Sequence, residues 1–183
     1  AECKNMNIPV LPPNINESYG GFTVIRNEEK NTSEKIRFGL YTIKNLGTDI
    51  ADAIIAERKL NGKFKSMTDF LDRIKHKNLN KKSMEALIKS GSMDEWGDRG
   101  VFLFNLEDML AYNKESGNKN ENQISLFGGL PQTETSIFKL KNTPPATMAE
   151  KLLWEKELLG LYISGHPLDR IRKKLESRDV NIK

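Results

Sequence analysis

Cysteine is almost missing from this chain: Cys3 is the only one in 183 residues. A lone thiol excludes an internal disulfide framework and any cysteine-rich zinc site, and the two isolated histidines, His76 and His166, do not by themselves build a metal centre. The sequence nominates no catalytic residue and no metal ligand. Long apolar runs are lacking as well. The longest, Leu158–Ile163 with Gly160 inside it, is far short of the roughly 20 residues of a membrane span. No N-terminal signal pattern is present. The expectation is a soluble, cytoplasmic protein without a membrane partner. Ala1–Met6 reads as the tail of a helix begun upstream, so an internal fragment of something larger is expected.

Charge is what the chain has. It carries 29 Lys or Arg against 25 Asp or Glu, a formal charge of +4, with 30% charged and 37% hydrophobic residues. That balance predicts a modest core and a long polar stretch. The basic residues are not evenly spread. Between Arg58 and Lys89 ten cations stand among three acids, and the remainder of the chain is net negative. A basic window of this kind suits a sequence-independent, salt-sensitive grip on nucleic acid, although a solvated lysine face gives the same count.

Periodicity predicts a mainly α fold. Pro9 and Pro12-Pro13 make residues 8–15 extended and irregular, and Phe22–Ile25 and Lys35–Phe38 form an antiparallel hairpin across the polar stretch 27–33. Helical spacing then takes over: a helix from Thr48 or Asp49, one capped by Ser66 with capping-box spacing to Asp69, one capped by Asn80 and ended by Gly91, and one from Arg99 to Tyr112. Residues 113–122 hold no apolar side chain and are expected to be a mobile linker. Thr147 and Glu150 form a capping box for a further helix carrying Leu152, Leu153, Leu158 and Leu159, interrupted at His166-Pro167, after which Leu168, Ile171 and Leu175 begin another.

Three segments point to function. Ile43-Lys44-Asn45-Leu46-Gly47-Thr48 followed by Ala51 fits the helix-hairpin-helix pattern, in which a glycine turn joins two short helices and the amides of the second face a phosphate. Asn45 stands where the first glycine is common, and asparagine tolerates positive φ. Lys89-Ser90-Gly91 is a looser second copy. Either copy could instead be a helical corner packed in the core. Gln123-x-Ser125-Leu126-Phe127 matches the short peptide by which bacterial replication proteins bind the sliding clamp; its Leu-Phe pair would fill an apolar pocket and its glutamine would bond at the rim. The alternative is that Leu126 and Phe127 pin a loop to this chain's own core. The run Glu155–Leu168, with Gly165-His166-Pro167-Leu168, has no evident chemistry. His166 reads as a local hydrogen-bonding residue.

In this order the segments resemble the alpha subunits of bacterial DNA polymerase III, the C-family replicative polymerases. The likeness rests on Leu11–Ser18, Ile36–Leu40 with Ile43–Gly47, Leu87–Gly91 and Glu157–Leu168. It implies that residues 1–40 are the end of the fingers with the β-hairpin and that 41–112 are a tandem helix-hairpin-helix unit on double-stranded DNA. Residues 113–146 become a linker with the clamp peptide, and 147–183 a helical segment before an oligonucleotide-binding barrel. The nucleic-acid residues are then Lys44, Asn45, Leu46, Gly47, Thr48, Lys89, Ser90 and Gly91. The clamp residues are Gln123, Ser125, Leu126 and Phe127. The resemblance also implies magnesium and other replicase subunits for the parent enzyme and no cofactor in this segment. A structural spacer or protein-interaction module is the alternative.

Overall fold

The computed structural model describes residues 8–25, 34–118 and 139–168. Three short strands, β1 (Val10–Leu11), β2 (Thr23–Ile25) and β3 (Lys35–Arg37), precede a single 3-10 turn, Leu40–Thr42. Six α-helices follow: α1 (Thr48–Asn61), α2 (Met67–Arg73), α3 (Lys81–Lys89), α4 (Arg99–Phe104), α5 (Leu106–Asn118) and α6 (Met148–Leu159). The fold is mainly α, as its periodicity predicts. The expected N-terminal helix tail, the helix from Leu168 onward and the clamp-like peptide fall outside the described residues.

The β2–β3 hairpin is antiparallel as expected, with Val24 opposite Ile36. The stretch 8–15 is less irregular than its prolines suggest, because β1 pairs in parallel with β3. Proline lacks a donor but keeps its carbonyl: the Ile36 amide donates to Pro9 O (3.0 Å) and the Phe38 amide to Leu11 O (3.1 Å). The strand therefore contributes acceptors at the positions where it meets β3.

Beyond β1 the chain dives into the helices. Asn14 closes a tight turn, accepting from the Asn16 amide (2.7 Å), while Ser18 donates its hydroxyl to Phe38 O (2.7 Å). Ile15 is fully buried in the same apolar cluster as Ile50, Ile54, Phe70 and Leu87. Two side-chain clamps and one backbone bond hold this plug. Arg58, on α1, donates to Ile15 O and Ser18 O, both at 2.8 Å; Asn16 donates to Phe64 O and accepts from the Phe64 amide, again at 2.8 Å; the Ile15 amide donates to Ser92 O. Residues 8–18 are thus knit into the helical unit rather than forming a separate layer.

α3 is the central helix. Its buried face, Met84, Ala86, Leu87 and Ile88, packs against α4, α5 and α6, and no single element of this length would be stable without such packing. The caps Asn80 and Thr147 each form a complete capping box. Ser66 caps α2 by accepting from the Asp69 amide. Asp69, however, reaches the Lys65 amide and not the cap residue, so that box is half formed.

Two helix boundaries differ from the sequence reading. The helix expected over 99–112 is broken at Asn105, whose side-chain amide donates to Val101 O and Lys141 O and accepts from the Lys141 amide. The second half, α5, runs on to Asn118 although its last turns are polar. Polar anchors replace apolar burial there: Asn113 donates to Leu71 O (2.6 Å) and Ile74 O (3.0 Å), and the Lys75 ammonium donates to the Leu71 and Asn113 carbonyls and to the Ser116 hydroxyl. α6 ends earlier than His166-Pro167, at Gly160, whose φ of 79° supplies the left-handed cap.

Replacing Asn16 with alanine strands the Phe64 amide and carbonyl in the core. Urea denaturation should register a loss of about 2–4 kcal/mol, against less than about 0.5 kcal/mol for Asn61→Ala on the exposed end of α1.

Candidate nucleic-acid interface

The first hairpin is built from one 3-10 turn and α1, not from two helices. Thr42 donates its hydroxyl to Gly39 O (2.7 Å), and the Ile43 and Leu46 amides close successive tight turns onto Leu40 O and Ile43 O. Apolar side chains alternate inward: Leu40, Ile43, Leu46 and Ile50 are buried. Lys44, Asn45, Gly47 and Thr48 face solvent. Leu46 is therefore an anchor of the corner and not a contact residue. The Lys44 amide donates to Leu158 O (3.1 Å), so the end of α6 braces the turn from behind.

The left-handed residue of this corner is Asn45, with φ of 68°, in keeping with the tolerance expected of asparagine. Gly47 needs no such freedom. Its φ of −68° and ψ of 148° are those of an ordinary N-cap, and its backbone is open to any residue, so the reason for glycine lies in what approaches it. A side chain at Gly47 would lie 2.5 Å from Asp49 Oδ1. Gly47 offers α1 no side-chain cap, and Asp49 fills part of that role. The Asn78 side-chain amide, which donates to Asp49 Oδ2, and next the Ile50 backbone amide hold the Asp49 carboxyl below its ordinary range, with His76 adding a smaller effect.

The second hairpin is different. Ser90 and Gly91 are buried, and Gly91, with φ of 83°, lies beneath the Arg99 guanidinium, with which any added Cβ would collide. Lys89 pairs with Glu85 at 3.0 Å. The place that the pattern assigns to a phosphate is filled by this protein's own arginine, so Ser90 and Gly91 present no surface to a nucleic acid.

Sequence reading did not find that arginine's role. Arg99 is 2% exposed; its guanidinium forks onto Asp94 (2.7–3.1 Å), donates to Lys89 O (3.2 Å) and reaches Glu155 Oε1 from both terminal nitrogens at 3.1 Å. Glu155 is 0% exposed and its other oxygen accepts from the Ile163 (2.8 Å) and Ser164 (2.9 Å) amides. The Ser164 hydroxyl donates to Oε1. This explains the run before Gly165: Glu155 folds the chain after α6 back on itself. His166 is a local partner, accepting from the Leu168 amide (3.2 Å) and lying edge-on to Tyr162. The missed signal was a pair 56 residues apart, visible only as one acid among many in α6.

The basic window is also partly internal. Arg58 clamps the plug, Arg73 holds Glu57 and Asp69, Lys75 anchors α5, and Lys81 pairs with Glu107. Lys63, Lys65, Lys77 and Lys82 remain exposed. Among the described residues no helix is long and apolar enough to cross a membrane.

A family model described as a helix-hairpin-helix motif matches residues 7–100, taking in the plug and both corners. The chain is similar to proteins named DNA polymerase III subunit alpha: 40% identical over 180 residues in Borreliella burgdorferi, covering 96% of this chain and 15% of the relative. In Deinococcus radiodurans the identity is 38% over 173 residues, 93% of this chain and 12% of the relative. In Thermus aquaticus it is 37% over 169 residues, 92% and 13%. The chain therefore spans about an eighth to a seventh of the curated relatives it matches.

Burial alone would push the Glu155 carboxyl up, but the Ser164 hydroxyl and amide, the Ile163 amide and the Arg99 charge outweigh it, and the group lies below its ordinary range. A depressed carboxyl stabilises the fold above its unfolded value, about 4.3, and that contribution is lost as pH falls through the lower folded value. Urea unfolding at pH 7 should show Glu155→Gln destabilised by about 3–5 kcal/mol. Its stability should also fall less steeply than that of the unsubstituted chain between about pH 5 and pH 2.

Proposed function

The chain belongs to the helix-hairpin-helix motif family, and from that premise we propose that its Lys44–Thr48 corner grips the sugar-phosphate backbone of double-stranded DNA without reading base sequence. The observation that carries this is the split in burial at the corner: Ile43, Leu46 and Ile50 anchor it, while Lys44, Asn45, Gly47 and Thr48 are exposed around the start of a 14-residue helix. A backbone at close quarters, a lysine and helix-terminal amides suit a phosphate. The similarity to DNA polymerase III alpha subunits supports placing this grip within a DNA-directed DNA polymerase of the cytoplasm. In that reading this segment holds product duplex and leaves nucleotidyl transfer to residues elsewhere. Among the described residues no group of three His, Cys, Asp or Glu suited to a metal occurs.

The peptide Gln123-Ile124-Ser125-Leu126-Phe127 is proposed to tether the polymerase to its sliding clamp, within a larger replicase assembly. A tether raises effective concentration and prolongs residence on DNA without touching the chemical step. For the second hairpin, burial of Ser90 and Gly91 under Arg99 favours a structural role.

Lys44→Glu with Gly47→Val should weaken binding of a labelled duplex by about tenfold or more and lower the slope of log affinity against log salt by about 1; an unchanged slope in fluorescence anisotropy would reject the corner. Separately, Leu126→Ala with Phe127→Ala should abolish binding to purified clamp and leave duplex affinity unchanged. Equal clamp affinity for both forms would reject the tether.

A further inference from the structure

A corner that receives a phosphate should be clear of other anions, and this exposed one is not. Asp49 Oδ1 lies against the bare face of Gly47, closer than any side chain there would allow. The carboxylate is held by the Asn78 side-chain amide, which donates to its other oxygen. Asn78 belongs to the turn before α3, 29 residues further on, and is itself fixed by its amide donating to His76 Nδ1 (3.2 Å). The seat is occupied by the protein's own anion, latched from the other half of the unit.

We propose that Asp49 is a built-in competitor for the phosphate seat of the first hairpin, released when Asn78 lets go. This rests on the DNA-backbone reading of the corner. An anion at a helix N-terminus satisfies the same amides that a phosphate would take, so duplex entry requires the carboxylate to swing outward. The two states differ in a single side-chain rotation and the loss of the Asn78 bond. The latch lowers affinity without changing what is recognised, and lets a grip that reads no sequence release duplex as it advances.

The test uses the whole 183-residue chain and a blunt duplex at low salt. Asp49→Asn should tighten binding roughly three- to tenfold. Asp52→Asn, which removes an equal charge one turn along α1 where Asp52 accepts from Tyr41, should change it less than about twofold. Asn78→Ala should also tighten binding, although it alters no charge. If Asp49→Asn and Asp52→Asn act equally, or Asn78→Ala has no effect or weakens binding, while Lys44→Glu still weakens it, the latch is overturned and the corner survives. If Lys44→Glu leaves affinity and salt slope unchanged, the corner reading itself falls.

Discussion

An arginine and a glutamate removed from water together organise the back of this molecule. Two such charges bear a large desolvation penalty, and burial is tolerable only when every donor and lone pair finds a partner. Here Arg99 distributes its N–H groups over Asp94, Lys89 O and Glu155, and Glu155 completes its shell with Ile163 and Ser164. Burial acts to lower the arginine's pKa, and the bonds and charge of Asp94 with those of Glu155 more than reverse it. The pair joins the end of α3, the start of α4, the middle of α6 and the turn that follows. Because α6 then presents Leu158 O to the Lys44 amide, the position of the first hairpin is referred back to this buried contact.

The two corners show how one pattern diverges. Both have a turn with a left-handed residue, Asn45 in one and Gly91 in the other. In the first the apolar residues face the core and the polar ones face out. In the second, serines bond to Leu87 O and an arginine covers the glycine. Internal pairing turned the second into a joint and left the first as the exposed member.

Local signals were legible in the sequence. Thr147 marked a helix start by its capping box with Glu150 and Asn80 by being a good cap residue, and Asn45 could be read as the left-handed position because few residue types accept that backbone. The hairpin strands followed from β-branched and aromatic runs. What escaped was non-local. Asn105 breaks a helix in order to hold Lys141; Asn113 extends another by bonding to Leu71 and Ile74; Gly91 is buried because of Arg99. In each case a polar side chain meets a backbone or an ion far along the chain, and hydropathy periodicity carries no trace of such a partner. At the candidate site, likewise, the exposure of Lys44 was readable from its apolar neighbours, whereas Asp49 meeting Asn78 was not.

The Asn105 clasp holds Lys141 at the break between α4 and α5, and α5 itself extends to Asn118. Leu126 lies eight residues past Asn118, and a fully drawn-out chain advances at most about 3.6 Å per residue. Under the proposed tether, a partner held by Leu126 would therefore stand within about 30 Å of Asn118. Lys141 lies fourteen residues beyond Phe127, so in that proposal the end of α5, and not the clasp, sets the shorter limit.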